Sequence, residues 1–282
     1  MRVMRQKYIF LHQVKTGGKT IEKFLMRKFG NQYCKTTNVF VDESLGNIFD
    51  ILDASKKEKF AQLAQADVIS GHYPFGIHEF YAPKARYFTL LRHPVLRLRS
   101  YYNYSLANYG SAVQQFLERE KLPFEEFAML DARAIEQIGI HELHYVLENG
   151  QTKILAGLDQ RVGQEPMQDI YALALKNIEA KFDFVGITEL FDYSFHRIVR
   201  LLGLSPLNTY ITQNRSGGRK SVDPKLYEKV MQRNELDCKL YDAHFDKLTR
   251  ESASLSSRLG VKYIEGSSWL ADRYVAARLR FK

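Results

Sequence analysis

The stretch Tyr8-Ile-Phe-Leu-His-Gln-Val-Lys15-Thr16-Gly17-Gly18-Lys19-Thr20-Ile21-Glu22 constrains the fold more than any other part of the chain. Apolar, β-prone residues from Tyr8 to His12 run into a short polar loop with paired glycines. Ile21, Phe24, Leu25 and Phe29 then recur at spacings of three and four, the period of a helix. Strand, glycine loop and helix in that order make a cradle for phosphate. Backbone N–H groups unpaired at the helix start point at an anion, and the helix dipole favours negative charge there. Glycines let the backbone come close without a Cβ in the way.

The rest of the chain repeats the alternation. Lys35 to Ser44 is β-prone, and residues 56–66 carry a helical stripe through Phe60 and Leu63. Asp67-Val-Ile-Ser-Gly71 reads as a short strand, which puts His72 just beyond a strand end. Ala85 to Leu91 is the clearest buried strand and runs into Arg92-His93-Pro94, after which Val95 to Leu106 turns helical. From about 112 to 180 the pattern is helical, with a loop around Gly157 to Pro166. A late strand at Phe184 to Ile187 is followed by a helix from Tyr193 to Leu202 that stops at Gly203. A helix from Pro224 to about Leu248 has proline in its first turn, and a Ser-rich link then leads to a basic helical tail. Strands alternating with helices imply an α/β layered fold with a central parallel sheet. The 282 residues are expected to form one domain, with 252–282 a C-terminal helical extension.

Charge and cysteines narrow the setting. The net charge of +9 implies an anionic partner, and no run of five like charges gathers it into a tail. Cys34 and Cys238 are the only cysteines, without the spacing of a zinc site, so a reducing compartment is expected. The apolar run behind the basic Met1–Lys7 start is too short for a signal-peptide core or a membrane span, and the chain reads as cytoplasmic.

Two phosphate compounds compete for the loop. A nucleoside-triphosphate P-loop needs Gly-x-x-x-x-Gly-Lys-[Ser/Thr]; Gly18-Lys19-Thr20 supplies its end, but its first glycine falls on Gln13. No apolar strand ends in the Asp that would serve magnesium. Lys-Thr-Gly-Gly-x-Thr after an apolar strand instead resembles the 5′-phosphosulfate loop of sulfotransferases that use 3′-phosphoadenosine 5′-phosphosulfate (PAPS). It is most similar to the carbohydrate sulfotransferases of the heparan and chondroitin type (family 2) and their bacterial relatives, with Val14 where that family commonly has proline. The family's second signature, Arg-Asp-Pro-x-x-Arg-x-x-Ser-x-Tyr, is matched by Arg92-His93-Pro94 through Arg97 and Ser100 to Tyr102, with His93 in place of the Asp. Gly71 to Gly76, Gln151 to Gly157 and Phe184 to Phe191 resemble further landmarks in the family's order, so the likeness spans about residues 7–248.

The resemblance implies a three-layer, P-loop-like sulfotransferase fold and sulfuryl transfer from PAPS to a hydroxyl, with a sugar or glycan as the expected acceptor and no metal. Lys15 is expected to stabilise the leaving phosphate, with Thr16, Gly17, Gly18, Lys19 and Thr20 forming the cradle. Arg92 and Ser100, eight residues apart and so about two helical turns, are expected to hold the 3′-phosphate, helped by the loop carrying Arg215, Ser216 and Gly217. His72 is the expected general base; Asp42 or Glu43 is the rival, since some heparan sulfotransferases use a glutamate from that region. Some relatives carry His-Gly-His where this chain has Ser70-Gly71-His72, so a single imidazole is expected. Arg97 is open between a structural and an acceptor-facing role. Nucleic acid is not an expected partner, a homodimer is compatible with the sequence, and the acceptor itself is unnamed. Two other readings stay open: a P-loop-like nucleotide kinase, and a non-catalytic binder of anionic glycan.

Overall fold

The structure is a computed structural model and describes residues 6–35, 63, 65–140, 142–157, 167–205, 208, 210 and 222–259. Five strands form one parallel sheet: β1 (Tyr8–Leu11), β2 (Tyr33–Lys35), β3 (Val68–Gly71), β4 (Arg86–Leu91) and β5 (Phe182–Ile187). Their order is β2-β3-β1-β4-β5, and every neighbouring pair is parallel. The central strands are buried on both faces, as continuous apolar runs in a helix-covered parallel sheet must be. Phe10 stacks on Phe88 of the next strand with ring centroids 5.1 Å apart.

Each strand of the central trio leads into a helix or a loop at its carboxyl end, where ligands bind in open α/β sheets. β1 is followed by α1 (Gly18–Phe29), whose Ile21, Phe24 and Leu25 face the core. Leu11 lies opposite Gly71 on β3 and Thr89 on β4, so His12 and His72 leave the sheet side by side. β4 runs on through Leu90 and Leu91, paired with Gly186 and Ile187, before Arg92 emerges. The short α2 (His78–Tyr81) precedes β4, and Tyr87 accepts a hydrogen bond from the His78 backbone at 2.9 Å.

Between β4 and β5 lies a helical block of α3 (Pro94–Ala107), α4 (Ala112–Glu120), α5 (Phe124–Phe127), α6 (Ala132–Ile138), α7 (Leu143–Leu147), α8 (Gly150–Ala156) and α9 (Met167–Lys181). α3 to α7 build a second apolar core around Leu98, Phe116, Phe127 and Leu147, to which Leu226 and Val230 also belong. After β5 come α10 (Phe191–Leu201), α11 (Pro224–Arg233) and α12 (Glu235–Leu259). α9, α10 and α12 pack on β5, and α1 packs on β2 and β3. No described helix is long and apolar enough to cross a membrane.

The carboxyl-terminal helices differ from expectation in two ways. The single helix expected from Pro224 is broken at Asn234, because that side chain is drawn into the protein: it donates to the Leu147 carbonyl at 3.0 Å and accepts from the Asn149 N–H at 2.9 Å. The Ser-rich stretch from Ser252 is helix to Leu259, not a link, with the Ser252 hydroxyl turned back onto the Thr249 carbonyl at 2.9 Å. The rest of the expected tail, from 260 on, lies outside the described residues, as do most of 56–66 and the loop before Pro166. Both cysteines are free thiols.

Candidate active site

The loop between β1 and α1 is held in an uncommon shape. Lys15 has φ of 66° and Gly17 φ of 85°, two left-handed residues in one turn. A Cβ at 17 would also lie 3.0 Å from the Phe191 ring, a tight approach that the ring would have to yield to. Thr16 is buried and donates to the Gln13 carbonyl at 2.9 Å, so its hydroxyl proton closes the loop on itself. The Thr188 hydroxyl sits 2.8 Å from the Thr16 carbonyl and 2.9 Å from that of Leu91, tying the loop to the end of β4. α1 begins with no side-chain cap and no acid in its first turn, which leaves its positive end uncompensated. Thr20, one of the expected cradle hydroxyls, is buried in that first turn.

Three cations gather over this loop. Lys15 places its ammonium 3.9 Å above the Tyr104 ring, and Lys19 lies 4.7 Å from the same ring. Arg92 donates to the Lys15 carbonyl at 3.0 Å and lies 3.7 Å from the Glu189 carboxylate. Burial, then the charges of Lys19 and Arg92, hold the Lys15 ammonium down at about 8. Ser100 and Tyr104 are one turn apart on α3, so Ser100 shares the face whose tyrosine meets the lysines. Of the nearby tyrosines, Tyr73 and Tyr101 are core, and Tyr102 donates to the Leu122 carbonyl at 2.8 Å. Tyr104 is the one that reaches the loop.

Arg92 owes its position to a residue far along the chain. The Gln151 side chain pairs with the Arg92 backbone, accepting from its N–H at 2.8 Å and donating to its carbonyl at 2.9 Å. Asp237 in turn receives the Gln151 and Thr152 backbone N–H groups at 3.1 and 2.7 Å, capping α8 from α12. Arg97 resolves as structural: it is buried, donates to the Tyr145 and Val146 carbonyls at 3.0 and 3.1 Å, and lies 3.7 Å from Asp237. His93, where the resembling family has an acid, is buried with Nε2 3.1 Å from the Tyr227 hydroxyl. Position 93 therefore faces the α11 side and carries no carboxylate toward the loop.

On the other flank of the loop stands His72. Its Nδ1–H donates to the His12 carbonyl at 2.6 Å, which leaves Nε2 as the ring's lone-pair nitrogen. Burial, then the neighbouring His12 ring, push its pKa down to about 3. The imidazole is thus neutral across the physiological range, with its lone pair on Nε2. The expectation of a single imidazole is corrected here, since the His12 ring lies 4.1 Å from that of His72. His12 comes from the end of β1, not from the segment before His72. Its Nδ1–H donates to Glu22 at 3.0 Å, and Glu22 also receives Ser70 at 3.1 Å and Lys35 at 2.9 Å.

His12 and Glu22 escaped the sequence reading because each hides in an apolar pattern, one ending a strand and the other beside Ile21 in a helix. The available signal was the ionisable Glu22 among the core-facing positions of α1. Arg215, Ser216, Gly217, Asp42 and Glu43 lie outside the described residues. Among the described residues no group of three or more His, Cys, Asp or Glu side chains is arranged to hold a metal ion.

The sequence family described as galactose-3-O-sulfotransferase matches residues 3–267. No curated protein sequence matches the chain. A solved structure similar to this one is the sulfotransferase from Alicyclobacillus acidocaldarius, 15% identical, covering 86% of this chain and 96% of its own, with a TM-score of 0.47.

Proposed function

The chain belongs to the galactose-3-O-sulfotransferase family and is a sulfotransferase; on that footing we propose that it moves the sulfuryl group of PAPS to a sugar hydroxyl, with His72 as general base and Lys15 at the leaving phosphate. The observation that carries this reading is the arrangement around one glycine loop. Lys15, Lys19 and Arg92 gather on it, and the neutral His72 stands on the adjacent strand end.

The residues present fit a phosphorylated donor. The uncapped, acid-free start of α1, the left-handed Gly17 and the three cations make a site for a multiply charged anion. Lys15, Lys19 and the amides of residues 16–20 would hold the 5′ end of the donor, and Arg92 with Ser100 its 3′-phosphate. When bound, the donor supplies the sulfuryl group, and 3′-phosphoadenosine 5′-phosphate is what leaves.

His72 Nε2 takes the proton of the acceptor hydroxyl as that oxygen bonds to sulfur. Lys15 stabilises the charge that gathers on the departing phosphate oxygen. The family description makes the 3-hydroxyl of galactose the first acceptor to test.

Transfer of labelled sulfate from PAPS to a β-galactoside, followed with a 3-deoxygalactoside control, tests the reading. Transfer to the first and none to the second is expected. Melting-point elevation by 3′-phosphoadenosine 5′-phosphate should accompany it. Elevation by ATP–Mg²⁺ alone would favour the kinase reading, and salt-sensitive glycan binding without transfer would favour a non-catalytic binder.

A further inference from the structure

A carboxylate and a second imidazole are buried directly behind His72, and sulfuryl transfer as described uses neither. Glu22 is nearly enclosed, and among the described residues its bonds point into one corner: to His12 just beyond β1, to Ser70 from β3 and to Lys35 from β2. Ser70 is itself met by the Tyr33 hydroxyl at 2.6 Å. Such a group is a poor stabiliser, since an apolar residue of the same volume commonly does as well in a protein interior.

We propose that Glu22 and His12 form a positioning dyad for His72: Glu22 anchors His12, and His12 holds the His72 ring by its carbonyl and its imidazole face, so that Nε2 alone is presented to the acceptor hydroxyl. The inference rests on the reading of His72 as the base.

Three features carry it. The carbonyl that fixes the His72 tautomer belongs to the residue whose side chain Glu22 grips, so carbonyl, ring and carboxylate move as one unit. The His12 ring is also wedged against the donor loop: a Cβ on Gly18 would fall 2.0 Å from it. One residue thus sets the spacing between base and phosphate cradle. Finally, among the described residues Glu22 is the acid whose charge acts on His72, and so on the imidazolium that forms when Nε2 takes a proton. This is the role a buried carboxylate plays behind histidine in hydrolase triads, here one residue removed. Among the described residues the charged and titratable groups acting on His72 are His12, Glu22 and Lys35, from the end of β1, from α1 and from β2.

The test is a comparison of Glu22→Gln, Glu22→Asp and His12→Phe with the unaltered enzyme. Glu22→Gln should lower kcat by about 10- to 100-fold, the size of effect seen when the partner behind a metal-bound histidine is removed. The donor KM should stay within about twofold, because the donor contacts are untouched. Glu22→Asp should recover part of the lost turnover. ¹⁵N spectra of histidine-labelled enzyme should show His72 as a single Nδ1–H tautomer, and as a mixture in Glu22→Gln. Unchanged kcat and tautomer in folded Glu22→Gln, or a loss confined to donor KM, would overturn the dyad. If Glu22→Gln does not fold, His12→Phe decides on the same readouts, since it keeps a ring against His72 and Gly18 while cutting the bond to Glu22. Failure of the underlying reading looks different: His72→Ala would then turn over at the unaltered rate whatever Glu22 does.

Discussion

Gln151 and Arg92 are joined amide to backbone, the side chain of one satisfying both the N–H and the carbonyl of the other at 2.8 and 2.9 Å. They stand on different elements, so the pair is what fixes the height at which Arg92 leaves β4. Gln151→Met keeps the volume and removes both bonds. It should cost about 1–3 kcal/mol of stability, because two half-buried backbone groups lose their partner. It should also weaken binding of 3′-phosphoadenosine 5′-phosphate, since Arg92 no longer sits over the loop. Chemical denaturation and calorimetric titration of the same variant check the two effects. Loss of stability without loss of affinity would show that Arg92 holds its place unaided.

Lys15 makes donor binding depend on pH. Its ammonium titrates at about 8 in the free protein, lowered by burial and by Lys19 and Arg92. A bound anion favours the charged form and raises that pKa. Affinity is therefore full below pH 8 and falls as pH rises through it. Lys15→Met should weaken binding of the nucleotide product by about 10- to 100-fold, the worth of a charge-assisted contact. It should also flatten the pH dependence between 7 and 9. Titrations of both proteins across that range decide the point.

For His72 the sign runs the other way. Its pKa is pushed down from the usual 6.5 to about 3 by burial and the adjacent His12, so the neutral ring persists well into acid. The pH profile of kcat/KM should show no acid limb near 6.5. An ordinary exposed histidine base would lose half its activity there. His72→Ala should reduce kcat by about 10²- to 10⁴-fold while the melting-point rise with the nucleotide product is kept. An acid limb near 6.5 that vanishes in His72→Ala would mean that the ring is more solvated in solution than its packing indicates.

The strand, glycine loop and helix were legible in the sequence because each is a local pattern: an apolar run, two glycines, and Ile21, Phe24 and Leu25 at helical spacing. Strand order was not legible, since it depends on which strands pair across long separations. Only that order shows that His72 and Arg92 flank the loop on opposite sides. Lys15, His72 and Arg92 could be named from motif letters. Their supports could not: Gln151 reaches Arg92 across 59 residues, and Asp237 reaches Thr152 across 85. A buried polar residue announces itself in sequence only as an interruption of an apolar stripe. In the sequence Asn234 is indistinguishable from ordinary helix for that reason, although its side-chain bonds are what end α11.

Asp237 is the furthest of these supports from the reaction, and it tests whether the helical block and the site are mechanically joined. It receives the Thr152 N–H and hydroxyl at 2.7 and 2.8 Å and the Gln151 N–H at 3.1 Å, with the Arg97 guanidinium 3.7 Å away. Asp237→Leu uncaps α8 and strands a buried guanidinium, which should cost about 3–5 kcal/mol. Adding Arg97→Met removes the orphaned charge and should return part of that stability. It cannot restore the cap on Gln151. The double variant is therefore expected to melt closer to the unaltered protein while still binding the nucleotide product weakly, as Gln151→Met does. Denaturation and titration of the single and double variants form a cycle that separates the two effects. Full recovery of both would mean that Asp237 serves the site only as a counter-charge to Arg97.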